Sequence, residues 1–254
     1  MNNIVKQKLI NGEPCLGGFV GIYSPALIEI MGYAGFEFVV IDDEHGAFSY
    51  SELEDMIRTA ENVNMVPIVR VSYDPSSIQK ALDRGAKGIH VPMVNTKEDA
   101  EMVVKKAKFP PVGQRGTAYS IRAARFGKDS GKSYLDAANE DVLILAHIET
   151  MEAAENFEAI MGVPGIDVAF LGPTDLSVSM GYTVEGAKHP EVQRVLTELY
   201  EKGKKMGVPV GTLSGNTESS IHEFKRGATY VAVAATTVMS QTFSQLVRMT
   251  KENI

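Results

Sequence analysis

The sequence predicts a single α/β domain of the (β/α)8 barrel type, and three observations carry that prediction. The chain has 254 residues, of which 44% are apolar, enough for one such barrel with a large core. Eight short runs rich in β-branched or aromatic residues recur, each followed by a longer stretch with helical spacing, the pattern of a parallel sheet wrapped by helices. Runs such as 38–41 (FVVI) are apolar on both faces, as strands covered on both sides must be. A doubly wound open sheet is the alternative arrangement of the same pattern.

In chain order the strand candidates are 16–22, 38–41, 66–71, 88–91, 142–147, 167–171, 208–212 and 230–234. Helical stretches lie between them at 26–34, 50–63, 76–84, 97–106, 153–160, 191–205 and 217–226. Ser49 and Ser51 precede an acidic first turn, and Thr96 precedes Glu98 and Asp99, as N-capping residues do. Gly35, Gly85 and Gly227 follow helical stretches and read as C-caps. The segment 109–136, which opens on Pro110 and Pro111, breaks the rhythm and reads as an extended loop over the barrel mouth. No solenoid repeat or low-complexity linker divides the chain, so residues 1–254 are expected to form one domain.

Composition narrows the function. The net charge is -7, with Lys and Arg scattered instead of forming a basic stripe, which argues against a nucleic-acid partner. Cys15 is the only cysteine; it cannot build a disulfide framework or a multi-thiolate metal site within one chain, which fits a cytoplasmic location. The first residues have no apolar signal core, and no apolar run reaches the roughly 18 residues a membrane span needs. A soluble protein without a membrane partner is expected.

In a barrel the chemistry collects at the C-terminal ends of the strands. Polar residues end five of the apolar runs: Asp42-Asp43-Glu44-His45, Arg70, His147-Ile148-Glu149, Gly172-Pro173-Thr174-Asp175, and the stretch near Thr212 to Gly215. Glu149 and Asp175 close adjacent strands, so both carboxylates would enter one mouth. Two hard oxygen donors suit Mg2+ or Mn2+ and tolerate Co2+ or Zn2+. The competing reading is a pair of helix caps, with Asp175 opening one helix and Thr150 preceding another. The turn at Gly172 also offers free backbone N–H groups at a helix start, a cradle for a carboxylate. No lysine ends a strand, which weighs against a Schiff-base mechanism.

Six stretches carry a resemblance: GFEFVVIDDEHG (35–46), PIVR (67–70), VPMV (91–94), QRG (114–116), IET (148–150) and GPTDLSVSMG (172–181). Together, in order and covering nearly the whole chain, they resemble the class II pyruvate aldolases, typified by 4-hydroxy-2-oxoheptanedioate and 2-dehydro-3-deoxyglucarate aldolase. The resemblance implies reversible cleavage of a 4-hydroxy-2-oxo acid to pyruvate and an aldehyde through a metal-bound enolate. It implies His45 as base, Arg70 as stabiliser of the enolate oxygen, Glu149 and Asp175 as metal ligands, and Gly172, Thr174 and Asp175 as the carboxylate cradle. Asp83 matches the acidic residue that raises the basicity of the histidine; Asp42, closer in sequence, could orient the same ring. His147 stands where many relatives have glutamine and is expected to donate a hydrogen bond to substrate. Thr174 replaces alanine or serine, and Asp43 replaces glycine. The amphipathic C-terminal stretch, together with the resemblance, implies a homo-oligomer, a hexamer, with N- and C-terminal helices exchanged between subunits. The alternatives are a carbon–carbon lyase acting on a CoA thioester, which would need basic residues for the CoA phosphates, and a non-catalytic barrel.

Overall fold

In a computed structural model, which describes residues 3–254, the eight predicted runs form eight strands. They are β1 (Cys15–Val20), β2 (Phe38–Asp42), β3 (Val66–Arg70), β4 (Gly88–Val91), β5 (Leu143–Ile148), β6 (Val168–Leu171), β7 (Val210–Ser214) and β8 (Tyr230–Ala234). Each pairs in parallel with the next, and β8 pairs with β1, so the sheet closes into a barrel with no open edge. That closure excludes the open doubly wound alternative. The seventh strand starts two residues later than the sequence suggests, because Pro209 has no N–H to give to a ladder and pairing by residue begins at Val210.

Helices wrap the barrel: α1 (Ile4–Ile10), α2 (Pro25–Tyr33), α3 (Tyr50–Asn62), α4 (Ser77–Asp83), α5 (Lys97–Ala107) and α6 (Gly131–Asp141) in the first half. The second half carries α7 (Met151–Glu155), α8 (Phe157–Met161), α9 (Pro173–Ser179), α10 (Pro190–Met206), α11 (Thr217–Arg226) and α12 (Ala235–Glu252). Ser49 with Glu52 and Thr96 with Asp99 form reciprocal capping boxes on α3 and α5, each of which contributes about 1 kcal/mol through the cap. Ser51 lies inside α3 and is not the cap.

Because side chains alternate across a strand, each run supplies two cores. One set, including Val39, Ile41, Val69, Ile89, Ile144, Ala169 and Val231, packs outward against the helices. The other, including Phe38, Val40, Ile68, Leu143, Leu145, Val168, Phe170 and Tyr230, fills the barrel. Two glycines make room inside: a Cβ on Gly17 would lie 2.2 Å from the Phe38 ring, and one on Gly211 would lie 2.8 Å from the Tyr230 ring. The aromatic pair they flank is stacked at 4.1 Å. Val5 and Leu9 of α1 join this inner core, so α1 plugs the N-terminal end of the barrel. Its fixings are polar: Asn3 Nδ2 donates to the carbonyls of Lys87 (2.9 Å) and Asp141 (3.0 Å), and Lys6 Nζ donates to that of Val142 (2.7 Å).

The segment after Pro110 does not cover the mouth. Since α5 runs antiparallel to the strands, it ends at the N-terminal face, where β5 must begin, and the connection stays on that face. There it forms a 3-10 turn (Arg122–Gly127) and α6, tied to the ends of α3 and α4 by Arg122 with Glu61 and the Arg84 carbonyl, and by Arg115 with Asp83. No helix among the described residues is long and apolar enough to cross a membrane.

Candidate active site

Asp42 is the last residue of β2 and faces inward, and it organises the mouth of the barrel. Its two oxygens accept Nε and Nη2 of Arg70, each at 2.7 Å, a parallel two-point pairing that fixes the guanidinium plane. The same carboxylate accepts the backbone N–H groups of Glu44 (3.3 Å) and His45 (3.4 Å). The turn closes when Gly46 N–H reaches the Asp42 carbonyl at 3.0 Å; a Cβ on Gly46 would lie 2.2 Å from that oxygen. Asp42 therefore orients Arg70 and the turn, not the His45 imidazole, whose ring it does not pair with.

Arg70 ends β3. Its Nη1 pairs with Glu44 Oε2 at 2.8 Å and its guanidinium lies 4.9 Å from the centre of the Phe19 ring. Burial alone would lower its pKa, but Asp42, Glu44 and Glu149 outweigh burial and raise it. Three N–H groups of Arg70 are thus engaged, leaving one each on Nη1 and Nη2 for a ligand. His45 sits at the rim with a side chain 71% exposed, its Nε2 3.9 Å from Glu44 Oε2. Glu44 is consequently the carboxylate within ion-pair reach of this ring. The sequence expectation for Asp83 is not met within one chain: it ends α4 on the opposite face and pairs with Arg115 at 2.8 Å.

Glu149 follows β5 and is only 4% exposed. Oε1 accepts the Met93 N–H at 2.8 Å and Oε2 accepts Nδ1 of His147 at 3.1 Å. Burial pulls its pKa up, but the His147 hydrogen bond, the Met93 N–H and nearby Arg70 outweigh burial and hold the carboxyl below its ordinary range. Gly172 makes the space: a Cβ there would lie 2.7 Å from Glu149 Cβ and 2.9 Å from its Oε2. Asp175 lies in the first turn of α9, where backbone amides have no partner within the helix.

A cavity of about 490 Å³ opens at this end, and Arg70, His147, Glu149, Gly172, Thr174 and Asp175 are among the residues that line it. Asp42 lies behind Arg70, and His45 does not line the cavity. His147 lines it but has no nitrogen to offer substrate: Nδ1 meets Glu149, and Nε2 meets Nδ1 of His90 at 3.0 Å. The expected hydrogen bond from His147 to substrate is replaced by these internal ones. Sequence reading also missed Tyr73, in the loop after β3. Partial burial and the charge and hydrogen bond of Glu44, with smaller effects of Glu149 and Asp175, push its hydroxyl up to about 12. His90 and Tyr230 were missed too; a lone strand histidine and a strand-initial tyrosine carry no spacing signal.

The donor set fits one divalent cation. Glu149 is held ionised, each of its oxygens accepts a single N–H and so retains a second lone pair, and Asp175 shares the cavity. Among the described residues no group of three or more His, Cys, Asp or Glu side chains is arranged to hold a metal ion, so two carboxylates would leave the remaining positions to water and substrate, as hard cations with a reactive ligand require.

A closed parallel barrel with two carboxylates, a fixed arginine and a helix N-terminus at its C-terminal mouth suits the stabilisation of a developing anion, and the family match and named relatives identify the class as a carbon–carbon lyase of the aldolase type. The chain belongs to the HpcH/HpaI aldolase/citrate lyase family, which it matches over residues 16–241. It is 35% identical over 225 residues to a 2-dehydro-3,6-dideoxy-6-sulfogluconate aldolase of Pseudomonas putida, covering 88% of this chain and 87% of that one. It is 34% identical over 241 residues to a 4-hydroxy-2-oxo-heptane-1,7-dioate aldolase of Klebsiella pneumoniae subsp. pneumoniae, covering 94% and 90%. Among solved structures, a HpcH/HpaI aldolase/citrate lyase family protein from Burkholderia cenocepacia J2315 superposes with a TM-score of 0.93 at 29% identity, covering 98% of this chain and all of that one.

Proposed function

We propose that this protein reversibly cleaves a 4-hydroxy-2-oxo acid, a 2-keto-3-deoxy sugar acid or a hydroxy-oxo diacid, to pyruvate and an aldehyde with the help of a divalent cation. The observation that carries this reading is the cavity shared by Arg70, Glu149 and Asp175, supported by the aldolase names of the relatives.

Cleavage leaves a carbanion next to a ketone, which must be delocalised as an enolate. A cation held by Glu149 and Asp175, Mg2+ or Mn2+ in first place with Co2+ or Zn2+ as substitutes, supplies a Lewis acid toward the keto group. The two remaining N–H groups of Arg70 are directed to the enolate oxygen, and Asp42 and Glu44 keep them there without reorganisation. The first-turn amides of Thr174 and Asp175, with Gly172 before them, bind the substrate carboxylate. His45, at the rim beside Glu44, takes the proton of the C4 hydroxyl through a bridging water, a general-base role common for imidazole. Asp83 takes part only if a second copy of the chain brings it to the mouth. The CoA-thioester reading gains no support from the relatives' names.

The test is pyruvate release from a panel of 4-hydroxy-2-oxo acids before and after chelation. Cleavage should vanish in EDTA and return with Mg2+, Mn2+ or Co2+. Full activity in excess EDTA, with a borohydride-trapped pyruvate adduct, would replace this mechanism by a Schiff base.

A further inference from the structure

Beneath the cavity runs a polar chain that the proposed chemistry does not use. His90 of β4 is fully buried inside the barrel, with Phe170 4.6 Å and Phe19 6.0 Å from its ring centre. Its Nδ1 lies 3.0 Å from Nε2 of His147, its Nε2 lies 2.9 Å from the Tyr230 hydroxyl, and Nδ1 of His147 lies 3.1 Å from Glu149 Oε2. Two imidazoles and a phenol in an apolar interior are costly unless every polar atom is paired.

Hydrogen-bond bookkeeping gives the chain a direction. An ionised carboxylate only accepts, so Nδ1 of His147 carries a hydrogen. Nε2 of the same ring then accepts from Nδ1–H of His90, and Nε2 of His90 accepts from the Tyr230 hydroxyl. In this sense every N–H and O–H of the chain finds an acceptor, and each ring nitrogen without a hydrogen accepts one. In the opposite sense His90 would donate to the Tyr230 oxygen, and the hydroxyl hydrogen would have no acceptor among its described contacts. The origin of the chain cannot drift, because the Tyr230 ring is stacked on Phe38 at 4.1 Å and Gly211 leaves room for it alone.

We propose that Tyr230 and His90 are positioning residues that act through His147, fixing its Nδ1–H tautomer so that Glu149 is held with its remaining lone pairs toward the cavity. This rests on the reading of Glu149 as a cation ligand. The Met93 amide fixes one carboxylate oxygen and the chain fixes the other. His147 is therefore neither a metal ligand nor a substrate contact; its ring is the last link between the barrel core and the carboxylate.

Two measurements test this. Only five histidines are present, so long-range 1H–15N spectra of histidine-labelled protein can assign tautomers, and His90 and His147 should both carry hydrogen on Nδ1. In Tyr230→Phe, which keeps the ring and removes the donor, both sets of signals should shift. Mn2+ titrated into the chelated full-length protein, followed by the resonance of free Mn2+, should bind at least tenfold more weakly in His90→Leu and His147→Leu, about 1.4 kcal/mol. His147→Gln should restore binding to within about threefold, because an amide can donate to Glu149 and accept from His90. Glu149→Gln separates the two claims. Wild-type Mn2+ affinity in Glu149→Gln would overturn the ligand reading and this proposal with it. Loss of binding there, with unchanged affinity in both leucine variants, would overturn the positioning role alone. If His90→Leu does not fold, Tyr230→Phe decides: unchanged tautomers and unchanged Mn2+ affinity would reject the chain.

Discussion

Arg70 is gripped by Asp42 and Glu44, and a lysine could keep the charge but not the planar fork. Arg70→Lys should lower kcat by about 10²- to 10³-fold, the usual cost of losing one preorganised donor, with the barrel intact by circular dichroism; steady-state rates near wild type would remove Arg70 from the reaction. A second residue-scale prediction concerns Cys15, whose thiol is buried inside the barrel and, chiefly through that burial, pushed up to about 12. The folded state holds the proton more tightly than the unfolded one. Stability is therefore unaffected below about pH 8.5, the pKa of a free thiol, and falls above it until about 12, by at most about 1.4 kcal/mol per pH unit. Denaturant titrations at pH 8 and 10 should show a smaller loss in Cys15→Ala than in wild type; equal losses would sink the argument. That Arg70, Glu149 and Asp175 line one cavity was legible in the sequence, because a strand end in a parallel barrel points at the mouth. The residues behind His147 were not. His90 and Tyr230 lie 140 residues apart and meet only when β8 closes on β1, which no local pattern encodes.

At the scale of elements, alternation of strand and helix was legible throughout because period-2 apolar runs and capping residues are local signals. The segment 109–136 was misplaced because its composition reveals irregularity but not the face of the barrel on which it lies; the direction of α5 decides that. The last helix poses a different question. Of the buried residues in α12 only Ala235 contributes, while Phe243, Leu246, Val247 and Met249 are all more than half exposed. Side chains at spacings of three and four share one stripe, and an apolar stripe of this size seeks a cover. We expect it to pack against further copies of the chain in a homo-oligomer, the hexamer implied by the resemblance. Sedimentation of wild type should show that assembly, and Phe243→Ser with Leu246→Ser should shift it toward monomer. A wild-type monomer would leave the stripe unexplained.

For the molecule as a whole, the cation proposed for Glu149 and Asp175 would sit at the mouth, outside the two apolar cores. Chelation should therefore abolish cleavage while leaving the circular dichroism spectrum unchanged, and should lower the unfolding free energy only by the binding contribution, about 2.7 kcal/mol at a hundredfold excess over Kd. Collapse of the spectrum on chelation would show a structural ion instead. The helix that plugs the opposite end has a consequence in time. The partners of α1 are the Lys87, Asp141 and Val142 carbonyls and the Asp167 carboxylate, up to 161 residues further along the chain. At roughly 5–20 residues per second, α1 waits on the order of 10–30 s after its own synthesis before its binding sites exist. During that interval Val5 and Leu9 have nothing to bury against. Nascent chains arrested before residue 167 should be clipped readily within α1, whereas released chains should resist.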